Sequence, residues 1–137
     1  MRFIFVVLFL IAYFSYGFEI KWRSTPDQYQ GIKLKLQCGD LKVYEKKSDF
    51  NGFSPDTIYY YFYLDRLYKI SLKYKSFYRF VQDQKRITGR ERFSAVDILT
   101  YQKNDTVIKI IHTPFKNVIQ FIYRLYYPRV DLIEKCN

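Results

Sequence analysis

The 137-residue chain has two cysteines, one histidine, five glycines and four prolines, so it is short of the residues that build covalent scaffolds, metal sites and many active sites. Two cysteines exclude a disulfide-dense mini-protein, and adding the one histidine still leaves a structural zinc site short of its four ligands. So little glycine and proline excludes collagen-like and low-complexity chains. Gly39, Gly52 and Gly89 stand alone, none placed before a lysine as a phosphate-cradling loop requires, so nucleotide-dependent catalysis and a bound cofactor are not expected. Acidic side chains are also scarce: 13 against 23 Lys and Arg, a formal charge of +10. Apolar residues make up 49% and aromatics 21%, too many for a disordered chain and enough for the core of one domain.

Part of that hydrophobicity is concentrated at the start. Arg2, the apolar run from Phe3 to Phe14 and the small residues of Ser15-Tyr16-Gly17 have the order of a secretory signal peptide cleaved after Gly17. The run falls well short of the roughly 20 residues needed to cross a bilayer as a helix, and no later stretch comes closer. The expected organisation is therefore a signal peptide, 1–17, and a single secreted domain, 18–137, that retains nearly all of the basic excess. In an oxidising compartment Cys38 and Cys136 are expected to form a disulfide, the only pairing available, tying the C-terminus to an early strand.

Along the secreted segment the hydrophobic period is two. Phe18–Arg23 alternates apolar and charged residues, and Ile32–Cys38 does so without error. Gly39-Asp40 then separates this run from Leu41–Tyr44 by the length of a tight hairpin. That register sets Leu36 against Val43 and Cys38 against Leu41 on an inner face, and Lys35 against Tyr44 on an outer one. In Thr57–Leu64, Ile58, Tyr60, Phe62 and Leu64 share one side and Tyr59, Tyr61 and Tyr63 the other. A turn near Asp65-Arg66 leads to Tyr68–Tyr74, with Lys69, Lys73 and Lys75 outward. Around residues 76–87 the period fits two elements: Phe77, Phe80, Val81 and Gln84 suit a helix with Ser76 as N-cap and Gly89 as terminator, while Phe77 and Val81 also suit a continued strand, and the helix is the expectation taken. Strands resume over Ser94–Gln102 and Thr106–His112 across the Asn104-Asp105 turn, then over Val118–Tyr127 and Val130–Cys136. The expectation is an all-β, mostly antiparallel sandwich or small barrel of eight or nine strands with one short helix at 76–87.

Catalytic chemistry has few candidates. His112 is the only imidazole, set in an apolar strand with no nucleophile-elbow sequence. The enzymatic alternative is a small basic ribonuclease pairing His112 with Glu91 and with Arg90 or Arg92. A barrel carrying a small apolar ligand is a third reading. The stronger signal is charge. Lys33, Lys35, Lys42 and Lys46 are expected on the outer face of one hairpin, Lys69, Lys73 and Lys75 on a second strand, and Lys85, Arg86, Arg90 and Arg92 at a basic loop. Such groups suit a sulfated glycan, an anionic membrane or another polyanion, whereas Tyr59, Tyr61 and Tyr63 suit a protein partner. Lys85-Arg86 is also a dibasic pair, and Asn104-Asp105-Thr106 is an N-glycosylation sequon at a hairpin tip. The sequence thus points to a secreted, non-catalytic binding module whose partner is an extracellular protein or an anionic polymer.

Overall fold

The structure, a computed structural model, describes residues 20–47 and 50–136. The expected signal peptide and the first two residues of the Phe18–Arg23 run lie outside the described residues. Seven strands, β1 (Lys33–Cys38), β2 (Leu41–Lys46), β3 (Thr57–Tyr63), β4 (Arg66–Tyr74), β5 (Asp97–Lys103), β6 (Thr106–Thr113) and β7 (Lys116–Tyr123), form one sheet in the order β1-β2-β3-β4-β7-β6-β5. Every neighbouring pair is antiparallel. Helix α1 (Phe77–Thr88) carries the chain from β4 to the far edge, and a second meander returns so that β7 pairs with β4. A 3₁₀ turn (Tyr127–Arg129) and the short helix α2 (Val130–Ile133) end the chain.

The all-β reading with one helix near 76–87 therefore holds, the layers being a single open sheet with helical covers. Ser76 accepts a hydrogen bond from the Arg79 amide at 3.3 Å, and Gly89 ends α1 at φ +76°, a left-handed conformation that costs glycine little. Gly39, at φ +59°, opens the β1–β2 turn in the conformation that a glycine-first hairpin needs.

Among the described residues the strands number seven because both terminal alternations do something else. Ile20–Ser24 is a turn: the Arg23 amide bonds the Leu67 carbonyl (2.9 Å) and the Leu67 amide bonds the Ser24 carbonyl (2.9 Å), clipping the segment to the start of β4. Val130–Cys136 is a helical turn and tail, because Pro128 fits the first turn of a helix and so short an apolar run serves either period. The strand expected over Val118–Tyr127 begins earlier, at Lys116, and stops at Tyr123. Leu64 belongs to the turn rather than the strand: Leu64 and Asp65, both at positive φ, join Tyr63 to Arg66.

Two β-bulges also redirect side chains. One lies between Leu34 and Leu36, so Leu34 pairs with Tyr44 while Leu36 keeps its place opposite Val43. Lys35 is the extra residue and does not oppose Tyr44 as the unbroken register requires. The other makes Tyr68 the extra residue of β4, since Tyr61 pairs with Lys69 and Phe62 with Leu67. Alternation alone cannot reveal either, because a bulge shifts the parity of a strand without changing its composition.

The helix face of the sheet holds the larger core. Phe80 of α1 is fully buried with Phe53, Ile58, Phe62, Leu67, Ile70, Leu72, Ile110 and Ile119. Asp83, also buried on α1, accepts hydrogen bonds from the Ser54 amide and the Tyr74 hydroxyl, each at 2.6 Å, and so fastens the β2–β3 loop to the helix. Arg86 adds a bond to the Gly52 carbonyl at 2.8 Å and lies over the Phe53 ring. Asp83→Ala strands both donors and is expected to cost about 2 kcal/mol in denaturant unfolding; an unchanged midpoint would show the loop to be held by its aromatics and Arg86 without Asp83.

Candidate functional site

The opposite, back face is divided into two halves. Its β1–β4 half carries Tyr59, Tyr61 and Tyr63, and what covers them is the C-terminal tail rather than the helix at 77–88. Tyr126 stacks on Tyr68 (5.8 Å between centroids) and meets Tyr63 edge-on (6.4 Å), while Val130, Ile133 and Cys136 pack on Leu41 and Val43. Cys38 and Cys136 are disulfide-bonded, with Cα atoms 5.4 Å apart. Glu134 accepts from the Tyr68 hydroxyl (2.8 Å) and from the Lys69 ammonium (3.0 and 3.1 Å), which in turn sits 4.4 Å from the centroid of Tyr61. Lys69, expected outward, is thus a buried anchor: it points to the expected face, but the tail closes over it.

Burial sets the chemistry of these phenols. It is the main cause raising Tyr60 and Tyr61 from the ordinary 10 to about 12, and it raises Tyr68 and Tyr74 still further, the Glu134 and Asp83 carboxylates adding to the effect. A raised folded-state value means that stability is complete below pH 10 and is lost as pH climbs through the range where the unfolded chain would ionise. Absorbance titration at 295 nm should therefore show the Tyr60 and Tyr61 phenols ionising only at about 12, and those of Tyr68 and Tyr74 later still. A single transition near 10 would contradict the burial.

Between β1–β3 and the tail lies a half-open groove of about 270 Å³ lined by Lys35, Leu36, Leu41, Val43, Tyr59, Tyr61 and Glu134. Among the described residues no cluster of His, Cys, Asp and Glu has the makings of a metal site.

The basic residues expected to act together are dispersed. The bulge places Lys33 and Lys35 on the back face, with Lys35 paired to Glu45 at 3.2 Å, while Lys42 and Lys46 point with Tyr44 to the helix face. Lys42 is paired with Asp65 (2.9 Å), whose hydrogen bond raises its pKa, and Lys85 with Glu91 (2.5 Å), whose pKa is lowered by that hydrogen bond. Arg90 reaches Asp97 at 3.3 Å, Arg86 is held over Phe53, and Arg92 is exposed. His112 Nδ1 lies 2.5 Å from Asn117 Oδ1, its ring flanked by Phe77, Phe80 and Phe93; Arg90 lies over the same Phe93 ring at 5.4 Å, whereas Glu91 of the ribonuclease reading is turned to Lys85. Asn104 is exposed at the β5–β6 turn at φ +54°.

The cations that do converge lie on the other half of the back face. Lys73 pairs in register with Val118, which places Lys116 about 8 Å away on the next strand and Lys109 about 12 Å away, two strands over. Lys75 is an exposed bend residue directly after Tyr74, the last residue of β4, which pairs with Asn117 beside Lys116. Among the described residues none of these four ammonium groups forms an ion pair; the nearby Asp56 carboxylate instead accepts from the Lys75 backbone amide at 2.7 Å. Thr57, Ser71, Gln120 and Thr100 lie between and beside them on the same face. Sequence reading had named Lys73 and Lys75 but missed Lys109 and Lys116. The signal for Lys109 was present in Ile108-Lys109-Ile110; what was missing was knowledge that β7 inserts beside β4.

Taken together, the fold and this face define a one-sheet β-protein with a basic, hydroxyl-lined surface. Compared with known protein families, curated proteins and solved structures, the chain matches none.

Proposed function

We propose that this is a secreted, non-catalytic binding protein that engages a sulfated glycan through the back face around Lys73, Lys75, Lys109 and Lys116. The observation that carries the reading is where these lysines lie. Like charges on a sheet are commonly a defence of exposed edges, but β4 and β7 are the fourth and fifth strands of seven. On central strands, unpaired like charges about 8 to 12 Å apart repel without protecting anything. A row of sulfates would neutralise them, and the neighbouring threonine, serine and glutamine groups supply hydrogen bonds to sugar hydroxyls and sulfate oxygens. Elsewhere Lys35, Lys42, Lys69, Lys85 and Arg90 already have carboxylate partners.

On immobilised heparin the protein should bind at low salt, with affinity falling by on the order of tenfold to a hundredfold between 50 and 200 mM salt if about four charges are neutralised. The Lys73→Ser/Lys109→Ser/Lys116→Ser variant should lose most of this binding, whereas Lys42→Ser/Lys85→Ser should keep it. Equal loss from both variants would reduce the effect to net charge and overturn the site. Binding only to vesicles of anionic lipid, with none to heparin, would transfer the face to a membrane partner.

A further inference from the structure

The open sheet leaves two edges, and they differ. At β1 the ladder is interrupted by the Lys35 bulge and carries Lys33 and Lys35, both features that discourage further pairing. Strand β5 has no bulge, and its one lysine, Lys103, stands at the end of the strand: all seven residues from Asp97 to Lys103 pair with β6 without a register shift, and no proline interrupts them. Ile98 and Tyr101 are 58% and 37% exposed on it.

The register also tells which backbone groups β5 leaves open. In a two-residue hairpin the pair flanking the turn, here Lys103 and Thr106, exchanges hydrogen bonds, and bonded and non-bonded pairs alternate from there. The N–H and C=O groups of Ile98, Thr100 and Gln102 therefore point away from β6, toward the edge.

We infer that β5 pairs with β5 of a second copy of this chain, antiparallel about a two-fold axis through Thr100, to make one continuous fourteen-stranded sheet. Of the possible centres, Thr100 uses the whole strand and is the one that sets Asp97 against Lys103 of the second copy, twice, so that opposite charges meet at both ends. On the same side Leu99 meets Tyr101 of the second copy, and across the other face Ile98 meets Gln102. Asp97 is a fixed carboxylate, held by Arg90 (3.3 Å) and by the Ser94 amide (3.0 Å). A two-fold axis normal to the sheet leaves both back faces on the same side. The interaction is thus isologous and closed, ending at two copies, because each remaining edge is a bulged β1.

Sedimentation equilibrium of the protein from the full chain, without any polyanion and before and after removal of N-glycans, tests this. The average mass should rise with concentration toward twice the monomer value in at least one of the two preparations. Thr100→Pro removes the outward N–H at the axis without breaking a bond to β6, and Thr100→Lys sets like charges face to face there. Both should sediment as monomers with an unchanged circular dichroism spectrum, and Thr100→Lys decides the matter should Thr100→Pro fail to fold. Leu36→Lys, on the β1 edge, should leave the dimer intact. A monomer at every concentration in both preparations, or a dimer that survives Thr100→Lys, overturns the proposal; so does one abolished by Leu36→Lys.

Discussion

Replacing Cys38 and Cys136 together by serine is expected to lower the stability of the fold by about 4 to 5 kcal/mol, the chain-entropy value for a loop of this length. The two residues are separated by 98 positions, so the bridge closes almost the entire described chain into one ring. The melting temperature should fall by on the order of 15–20 °C for a domain of about this size. The structural consequence is local as well as global. Cys136 is the far end of the tail that covers Tyr61, Tyr63 and Tyr68, so its release frees the tail to lift from Leu41 and Val43. Thermal unfolding of the oxidised protein and the double variant measures the first effect, and near-ultraviolet circular dichroism of the stacked tyrosines reads the second. A loss below about 1 kcal/mol would mean that packing alone holds the tail.

Glu134→Ala should be the next most damaging change, by about 3 kcal/mol, because removing one member of a buried ion pair leaves the other charged and unpaired. Lys69 is the member left behind, with only 7% of its side chain exposed, and the Tyr68 hydroxyl loses its acceptor at the same time. Glu134 itself is 26% exposed, at the rim, which holds the expected value toward the lower end of what breaking buried pairs costs. The double variant Lys69→Met/Glu134→Leu should recover the part of the loss that comes from the unpaired Lys69 charge, since an apolar pair carries no desolvation penalty in a cluster already lined by Leu41, Val43 and Ile133, while the Tyr68 hydroxyl stays without its acceptor. Denaturant melts of the wild type, Glu134→Ala and the double variant make the comparison. If the double variant is as unstable as Glu134→Ala, the ion pair is a net source of stability, and the desolvation argument fails.

Much of this architecture can be read from one residue to the next. Leu36 opposite Val43 and Cys38 opposite Leu41 follow from alternation around Gly39-Asp40, and the β5–β6 hairpin follows in the same way from Asn104-Asp105. Ser76 and Gly89 bracket α1 because their local hydrogen-bonding and dihedral preferences are properties of single residues. The tail is the opposite case. Val130–Cys136 has an apolar pattern compatible with a strand, yet it becomes a helical turn because the position available to it is across the tyrosine face, where Val130 and Ile133, three residues apart, both reach the sheet.

Composition, period and capping determined that the chain forms antiparallel hairpins with one helix and that its two cysteines have only each other, since each of these depends on neighbours in sequence or on a count. Tertiary structure alone decided that β7 lies beside β4, that the tail buries Lys69 against Glu134, and that two bulges turn Lys35 and Tyr68 to the back face. Such outcomes depend on competition among distant segments for the same stretch of sheet, and the energies that settle it come from packing and desolvation, which the residues lack until the chain has closed around them.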